Sequence, residues 1–263
     1  MPSGRSSPRA SRPDDAALTY PAREDTELLV PFARRARGRT VLEIGTGAGR
    51  IAVEAARQGA ARVVATDLNP HALRVARALA RARRVRIDLV RADLARGLGR
   101  FEVVLANPPY LPTRPHERDR SRWVNLALDG GADGCRSLAR ILARLPAHLA
   151  PAGVAYVLVS SRQDPRRRAQ LRSRWNAGGG AVRVVASRRL EGERLDVWEL
   201  RRPSGRRPRP TGSARRSRRR ARGTPGRRRS RPARRRGSSP APGRGRTSVP
   251  GAASGRRRSR PGW

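Results

Sequence analysis

The strongest constraint on the fold is an alternation of strand-like and helix-like segments in the first 200 residues. The stretch RTVLEIGTGAGR (39–50) places an apolar run, Val41–Ile44, directly before three glycines at every second position. The segment that follows, IAVEAARQGA (51–60), has the apolar spacing of a helix. The order strand, glycine turn, helix repeats in ARVVATDLNP (61–70) and HALRVARALARAR (71–83), where Pro70 suits a first helical turn.

Further strand patterns follow at VRIDLVRADL (85–94), RFEVVLANPPY (100–110) and GVAYVLVSS (153–161), with a helical apolar stripe in DGCRSLARILARLPAHL (133–149). The segment from 178 to 200 indicates two final strands around a turn at Glu191-Gly192. Strands that alternate with helices favour a parallel sheet with right-handed crossovers. We therefore predict an α/β fold with a mostly parallel seven-stranded sheet, an antiparallel edge and helices on both faces.

The composition changes sharply near Arg201. Residues 201–263 contain 24 Arg and no Asp or Glu, whereas the first 200 residues hold 37 basic and 20 acidic residues, a net charge of +17. An Arg, Pro, Ser and Gly mixture buries too little apolar surface to offset chain entropy. The sequence predicts a flexible leader at 1–17, one folded domain at 18–200 and a disordered tail at 201–263.

Charge and cysteine content bound the function classes. Every basic residue is Arg, so a coding bias explains the charge as readily as polyanion binding does, and RNA or ribosome contact by the tail stays open. The single cysteine, Cys135, excludes an internal disulfide, and three scattered histidines give no metal-ligand pattern. With no apolar run long enough to span a membrane and no signal sequence, we expect a cytoplasmic protein without metal.

Several polar or glycine residues come directly after predicted strands: Gly45, Gly47, Asp67, Asp93 and Asn107. Ligands of open parallel sheets bind in the crevice outside the carboxyl ends of the strands. We expect these five residues to line one crevice.

The glycine turn EIGTGAG (43–49) lets the backbone approach a ligand closely. Its spacing differs from a dinucleotide fingerprint, and Glu43 would repel a pyrophosphate, whereas it would tolerate the cationic S-adenosylmethionine. Asp67 could accept both ribose hydroxyls, and Asp93 could accept the adenine amino group. A turn or helix cap remains the alternative reading of either aspartate.

The tetrad Asn107-Pro108-Pro109-Tyr110 ends the fourth strand. Two prolines stiffen the exit and remove backbone donors, which leaves the Pro108 carbonyl free to accept. With the Asn107 side-chain oxygen, it could hold both hydrogens of a substrate amino group while Tyr110 packs on the planar group. Such a clamp needs neither a metal nor a nucleophilic residue.

These residues resemble the Rossmann-like class I methyltransferases with an Asn-Pro-Pro-Tyr tetrad. Two segments are similar to the short, archaeal and eukaryotic type of HemK-like release factor glutamine methyltransferase: YPAREDTELLV (20–30) and LALDGGADG (126–134). The closing RRLEGERLDVWEL (188–200) resembles the last strand pair of that type. The resemblance covers about residues 18–200 and does not extend to the tail.

The resemblance implies S-adenosylmethionine as the cofactor and the glutamine of a release factor Gly-Gly-Gln motif as the substrate. It implies a catalytic tetrad and a small activating protein partner for some relatives. The implied cofactor-binding residues are Thr26, Glu43, Gly45, Gly47, Asp67, Asp93, Leu94 and Asn107.

Two other functions fit parts of the sequence. The tetrad also occurs in enzymes that methylate adenine N6 or guanine N2 in RNA or DNA, and the basic charge would suit that substrate. A non-catalytic Arg-rich binding module is the third reading, and absence of cofactor binding would favour it. Residues 1–200 show no recognisable nucleic-acid-binding module, and aromatic residues are few.

Overall fold

The computed structural model describes residues 14–202. The leader before residue 14 and the tail after residue 202 lie outside this range, so the limits of the predicted domain, 18 and 200, stay predictions. Residues 14–17, which we assigned to the leader, include turns. The Asp15 carboxylate in this stretch lies 2.7 Å from both His71 Nδ1 and Arg74 Nη2.

One mixed sheet of seven strands forms the centre of the described region, in the order β3-β2-β1-β4-β5-β7-β6. The strands are β1 Thr40–Ile44, β2 Arg62–Asp67, β3 Asp88–Arg91, β4 Phe101–Ala106, β5 Leu149–Ser160, β6 Ala181–Leu190 and β7 Glu193–Arg201. Strands β1 to β5 pair in parallel, and β7 lies antiparallel between β5 and β6. This arrangement confirms the predicted α/β fold.

Within residues 14–202, six α-helices connect or flank the strands. They are α1 Glu24–Leu29, α2 Arg50–Arg57, α3 Pro70–Ala82, α4 Arg122–Leu128, α5 Arg136–His148 and α6 Pro165–Ala177. A 3-10 segment, Val30–Ala36, follows α1, and a shorter one lies at Pro115–Glu117. Pro70 begins α3 as expected, and the Asn69 side chain caps it by accepting from the His71 amide at 2.9 Å.

The central strands β1, β2, β4, β5 and β7 are buried on both faces, because successive strand residues point to opposite sides and each side carries an apolar layer. In β1, Val41 belongs to the buried apolar cluster that includes Ile51 of α2, while Leu42 belongs to the other cluster, which includes Leu138 and Ile141 of α5. Each fully buried aliphatic side chain of this kind contributes about 1.5–3 kcal/mol. These two apolar layers hold the central strands in place, and with them the positions of the strand ends.

The strand ends are level across the sheet. Ile44 of β1 pairs with Thr66 of β2 and with Ala106 of β4, and Asp67 pairs with Arg91 of β3. The residues that follow each strand therefore emerge side by side along one edge.

Candidate active site

All eight residues expected to bind a cofactor line one cavity at this edge. We call it the first cavity; its walls include Thr26, Glu43, Gly45, Gly47, Asp67, Asp93, Leu94 and Asn107. The structure thus brings together every residue that the sequence placed in the crevice.

The glycine turn between β1 and α2 crosses the end of β2. The Gly45 and Thr46 amides both donate to the Thr66 carbonyl at 2.9 Å, and the Gly47 amide donates to Asp67 Oδ2 at 2.9 Å. Gly49 has φ +84°, and a Cβ there would lie 2.7 Å from the Ala76 Cβ of α3. Glycine at this position therefore serves both the left-handed backbone and the close approach of two helices.

Glu43 is the last acidic group before the glycine turn and is 2% exposed. Its Oε2 accepts from Thr46 Oγ1 at 2.7 Å and from the Ala52 amide at 2.9 Å. Burial raises the pKa of Glu43 to about 8, although these two hydrogen bonds act in the opposite direction. A cationic ligand in the first cavity would favour the ionised form.

Asp67 and Asp93 differ in how many of their carboxylate oxygens accept a hydrogen bond. Asp67 accepts from the Gly47 and Asn69 amides through separate oxygens, and burial raises its pKa above the ordinary value. Asp93 Oδ2 accepts from Arg140 at 2.6 Å, whereas its Oδ1 is buried and has no partner within residues 14–202. Leu94, next in the chain, has φ +56°, an uncommon conformation for a non-glycine residue. Buried unpaired acceptors are rare, so this oxygen is a ready acceptor for a ligand donor.

Asn107 lies at the junction of the first cavity with a second one. The second cavity contains the tetrad Asn107-Pro108-Pro109-Tyr110 and, among other residues, Arg23, Asp25, Arg162 and Glu193. Residues that line both cavities are Tyr20, Asn107, Pro108, Pro109, Trp123 and Ala127. A methyl donor in one cavity and an acceptor group in the other would meet at Asn107 and the prolines.

The side chain of Asn107 is held from the α1 side. Its Nδ2 donates to Asp25 Oδ2 at 3.1 Å and lies 3.4 Å from Thr26 Oγ1. No side chain in the described range hydrogen-bonds to Asn107 Oδ1, which leaves this oxygen available as an acceptor.

The Gly130-Gly131 segment that follows α4 is hydrogen-bonded to the residues just after the tetrad. The Gly130 amide donates to the Leu111 carbonyl at 2.9 Å, and the Thr113 amide donates to the Gly131 carbonyl at 3.0 Å. A Cβ at Gly134 would lie 2.5 Å from the Tyr110 carbonyl oxygen. The LALDGGADG stretch thus packs directly against the backbone of Tyr110.

Sequence reasoning missed several residues of the site: Tyr20, Asp25, Trp123 and Arg140. Asp25 carried one signal, since it lies inside the YPAREDTELLV segment that supported the family resemblance. Trp123 is an aromatic residue at the end of the charged stretch RPHERDRSRW (114–123), and it lines both cavities. The contact between Arg140 and Asp93 had no local signal.

The arrangement contains no preformed metal site. Within residues 14–202, no three His, Cys, Asp or Glu side chains converge as ligands would. The same range contains no helix of the length and apolar character that a membrane crossing requires.

Comparison with known proteins identifies methyltransferases as relatives of this chain. Residues 24–121 match the family model described as "Methyltransferase small domain". A Methanocaldococcus jannaschii protein whose name assigns it N5-glutamine methyltransferase activity is 40% identical over 143 residues, which cover 54% of this chain and 72% of that protein. The release factor glutamine methyltransferase of Deinococcus radiodurans is 35% identical over 193 residues, covering 68% of this chain and 69% of that protein.

A solved structure shows a related fold. The E. cuniculi Mtq2-Trm112 complex, whose description assigns it methylation of the termination factor eRF1, has 26% identity and a TM-score of 0.54. The match covers 70% of this chain and 99% of that one. The fold and the tetrad site together define a methyltransferase of the Rossmann-like class. More narrowly, the chain belongs to the HemK-like family of protein-glutamine methyltransferases.

Proposed function

We propose that this protein uses S-adenosylmethionine to methylate the side-chain amide nitrogen, N5, of the glutamine in the Gly-Gly-Gln motif of a peptide-chain release factor. The family membership supports the reaction class, and the names of the relatives support the substrate. The observation that carries the proposal is the position of Asn107 between the two cavities, with its amide nitrogen held by Asp25.

The first cavity suits the cofactor by its donor and acceptor set. Asp67 would hold the ribose hydroxyls, and the unpaired Oδ1 of Asp93 would accept from the adenine amino group, next to Leu94. Glu43 and Thr26 would face the charged methionine part, and Gly45 and Gly47 would line it with backbone alone. When bound, S-adenosylmethionine supplies an electrophilic methyl group from its sulfonium sulfur, and the rest of the cofactor leaves as a neutral thioether.

The second cavity would hold the glutamine amide. Asn107 Oδ1 and the Pro108 carbonyl accept one hydrogen each, which turns the nitrogen lone pair toward the methyl donor. Pro109 stiffens the loop, and Tyr110 packs on the planar amide. In this position the amide nitrogen would gain the methyl group and lose one proton to solvent.

Orientation and exclusion of water account for the rate, since the site holds no strong base. Burial raises the pKa of Tyr20 and of Tyr110 well above the usual value, and the nearby Asp25 charge acts in the same direction. Both phenols therefore keep their protons at physiological pH. They serve as walls and donors rather than as proton acceptors.

The same proposal includes partners and location. A small activating protein of the Trm112 kind fits the Mtq2-Trm112 neighbour, and we expect the protein to act in the cytoplasm. Contact of the Arg-rich tail with RNA or the ribosome concerns residues outside the described range and stays a prediction. The alternative function, methylation of adenine N6 or guanine N2 in RNA or DNA, has the excess of arginine in its favour.

The test is transfer of labelled methyl from S-adenosylmethionine by the full-length chain, with and without a Trm112-type partner. The acceptors are purified release factor, the same factor with its Gly-Gly-Gln glutamine replaced by alanine, and total RNA. We expect label on the first acceptor alone. Label on RNA alone would establish the alternative, and label on neither would contradict both.

A further inference from the structure

Asp25 is a buried carboxylate that interacts with neutral donors. It is 4% exposed, and it lies in the first turn of α1. Its Oδ1 accepts from the Thr26 amide at 2.6 Å and lies 3.3 Å from Thr26 Oγ1, and its Oδ2 lies 3.1 Å from both Tyr20 Oη and Asn107 Nδ2. No arginine or histidine within residues 14–202 forms an ion pair with it. Burying an ion without a cationic partner is costly, so these hydrogen bonds must compensate for lost hydration.

The orientation of Asn107 follows from the chemistry of its partner. A carboxylate only accepts hydrogen bonds, and an asparagine side chain has a donor end and an acceptor end. Asn107 can therefore approach Asp25 with its Nδ2 but not with its Oδ1. The neighbouring Thr26 hydroxyl, 3.4 Å away, can accept from the same nitrogen. A flipped amide would place two oxygens against each other in a buried site.

We propose that Asp25 is a positioning residue that fixes the amide of Asn107 so that the clamp presents an acceptor to the substrate amino group. The inference rests on the proposed amino-group clamp, whichever molecule carries that group. If the amide flipped, Asn107 would present a donor to a substrate that also offers only donors, and the clamp would repel its substrate. Asp25 prevents this state without contacting the reacting nitrogen.

A second possible role for Asp25 is that of a proton acceptor in the reaction, and experiment can distinguish it from positioning. The residue also lines the second cavity, so its carboxylate could in principle accept the proton that the substrate nitrogen loses. A swap of the two side chains separates these roles. With Asp25→Asn and Asn107→Asp together, the asparagine at 25 donates to the carboxylate at 107, whose free oxygen still faces the substrate as an acceptor. The orientation is preserved, while the carboxylate at 25 is lost.

The experiment compares D25N, N107D and the double variant D25N/N107D in the full-length protein, with labelled transfer to release factor and cofactor affinity as readouts. For D25N we expect a loss in kcat of about 100-fold, the scale of a misplaced reacting group, with cofactor affinity retained. N107D sets two carboxylates against each other and should be equally impaired. The double variant should be at least about tenfold more active than either single one, because the coupling is local.

Asp196→Asn provides the matched control. Asp196 is 5% exposed and accepts from Ser187 Oγ at 2.6 Å and from Arg194 at 3.1 Å, and it lines neither cavity. Its replacement removes a buried carboxylate of similar exposure and should leave transfer unchanged. If D25N does not fold, the comparison of N107D with the double variant still tests the inference. A double variant no better than N107D would overturn it, as would full activity in D25N.

A second readout does not depend on the substrate. This readout is the NMR spectrum of protein with 15N-labelled asparagine. The side-chain amide signal of Asn107 is identified as the one that is absent from the spectrum of N107D. We expect its protons to exchange slowly with solvent in the wild type and to lose protection in D25N. An unchanged Asn107 signal in D25N would overturn the inference. Wild-type protein that shows the protected signal but methylates no release factor would instead contradict the proposed function.

Discussion

Arg140 of α5 holds one oxygen of Asp93 at 2.6 Å and leaves the other oxygen buried with no hydrogen-bond partner in the described part of the chain. The ion pair fixes the carboxylate, so the unpaired Oδ1 has a defined direction. Because Asp93 and Arg140 both line the first cavity, this oxygen is suited to a donor on a bound ligand.

The first prediction concerns adenine recognition by Asp93. Asp93→Ala should weaken S-adenosylmethionine binding roughly 10- to 100-fold, the range for loss of a hydrogen bond to a charged group. Calorimetry with S-adenosylhomocysteine and its inosine analogue checks the cause, because the analogue lacks the adenine amino group. The wild type should discriminate between these two ligands, and the alanine variant should not.

Asp88→Ala is the matched control for Asp93. Asp88 begins β3, its side chain is 53% exposed, and it pairs with Arg62 outside the cavity. Its replacement should change cofactor affinity by less than about threefold, as for most exposed ion pairs. Equal effects of both substitutions would remove Asp93 from the cofactor site.

The second prediction concerns pH and Glu43. Burial raises the pKa of this carboxyl from its ordinary value of 4.5 to about 8, so the folded protein binds more protons than the unfolded chain between these values. The contribution to stability is therefore present below pH 4.5 and is lost as the pH rises through 8. In the Glu43→Gln variant this decline should disappear, which thermal unfolding at several pH values can measure.

Cofactor binding should respond to the same group in the opposite direction. A cationic ligand stabilises ionised Glu43, so binding releases a proton and should tighten as the pH rises toward about 8. Titration of the wild type and of Glu43→Gln in parallel isolates this effect, since any dependence left in the variant belongs to the ligand itself. An identical pH profile for the two proteins would contradict the assignment.

The sheet and the set of cavity residues could be predicted because both follow from local patterns. Apolar runs that end in glycine, aspartate or asparagine mark parallel strands and their carboxyl ends, and parallel strands place these ends together. Asp67 and Asn107 are forty positions apart in sequence, yet each follows a buried strand and both line the first cavity. Topology alone was sufficient to join them.

Contacts between side chains on different segments had no such signal. The bond from Asn107 to Asp25 spans 82 positions, and no periodicity links α1 to the end of β4. Helix α4 was also missed, because it is seven residues long, the N-cap residue Ser121 before it makes no side-chain hydrogen bond to the helix, and none of its residues is fully buried. Such elements are held by tertiary packing rather than by propensity.

The third prediction concerns Trp123, which lines both cavities. The Arg122 guanidinium carbon lies 4.0 Å from the ring centroid of Trp123, and His71 packs edge-on at 5.4 Å. Trp123→Ala should raise both the cofactor Kd and the substrate KM by about tenfold, because a large aromatic wall is removed from each cavity. Trp123→Phe should remove most of the change in tryptophan fluorescence on cofactor addition.

Trp175→Phe controls for general effects on fluorescence. Trp175 is buried in the core and donates from Nε1 to the Arg201 carbonyl at 3.2 Å, away from both cavities. This variant should keep the fluorescence response to cofactor. A response that depends on Trp175 instead would show that cofactor addition perturbs the core rather than the cavity wall.

The fourth prediction separates a steric effect at Gly134 from the strain of its backbone. Gly134 has φ +69°, and a Cβ there would lie 2.5 Å from the Tyr110 carbonyl oxygen. Gly38 has φ +68°, and a Cβ there would meet nothing within 4 Å. Alanine at Gly38 should therefore cost only the strain of a left-handed residue, about 1–2 kcal/mol of unfolding free energy.

Alanine at Gly134 should cost the same strain plus about 1–3 kcal/mol of overpacking against backbone that cannot move aside freely. Since the displaced backbone belongs to Tyr110, methyl transfer should fall by about 100-fold while cofactor affinity stays near the wild-type value. Denaturant unfolding and transfer assays on the two variants measure both effects. Equal stability and equal activity would mean that the Gly-Gly segment does not hold the tetrad in place.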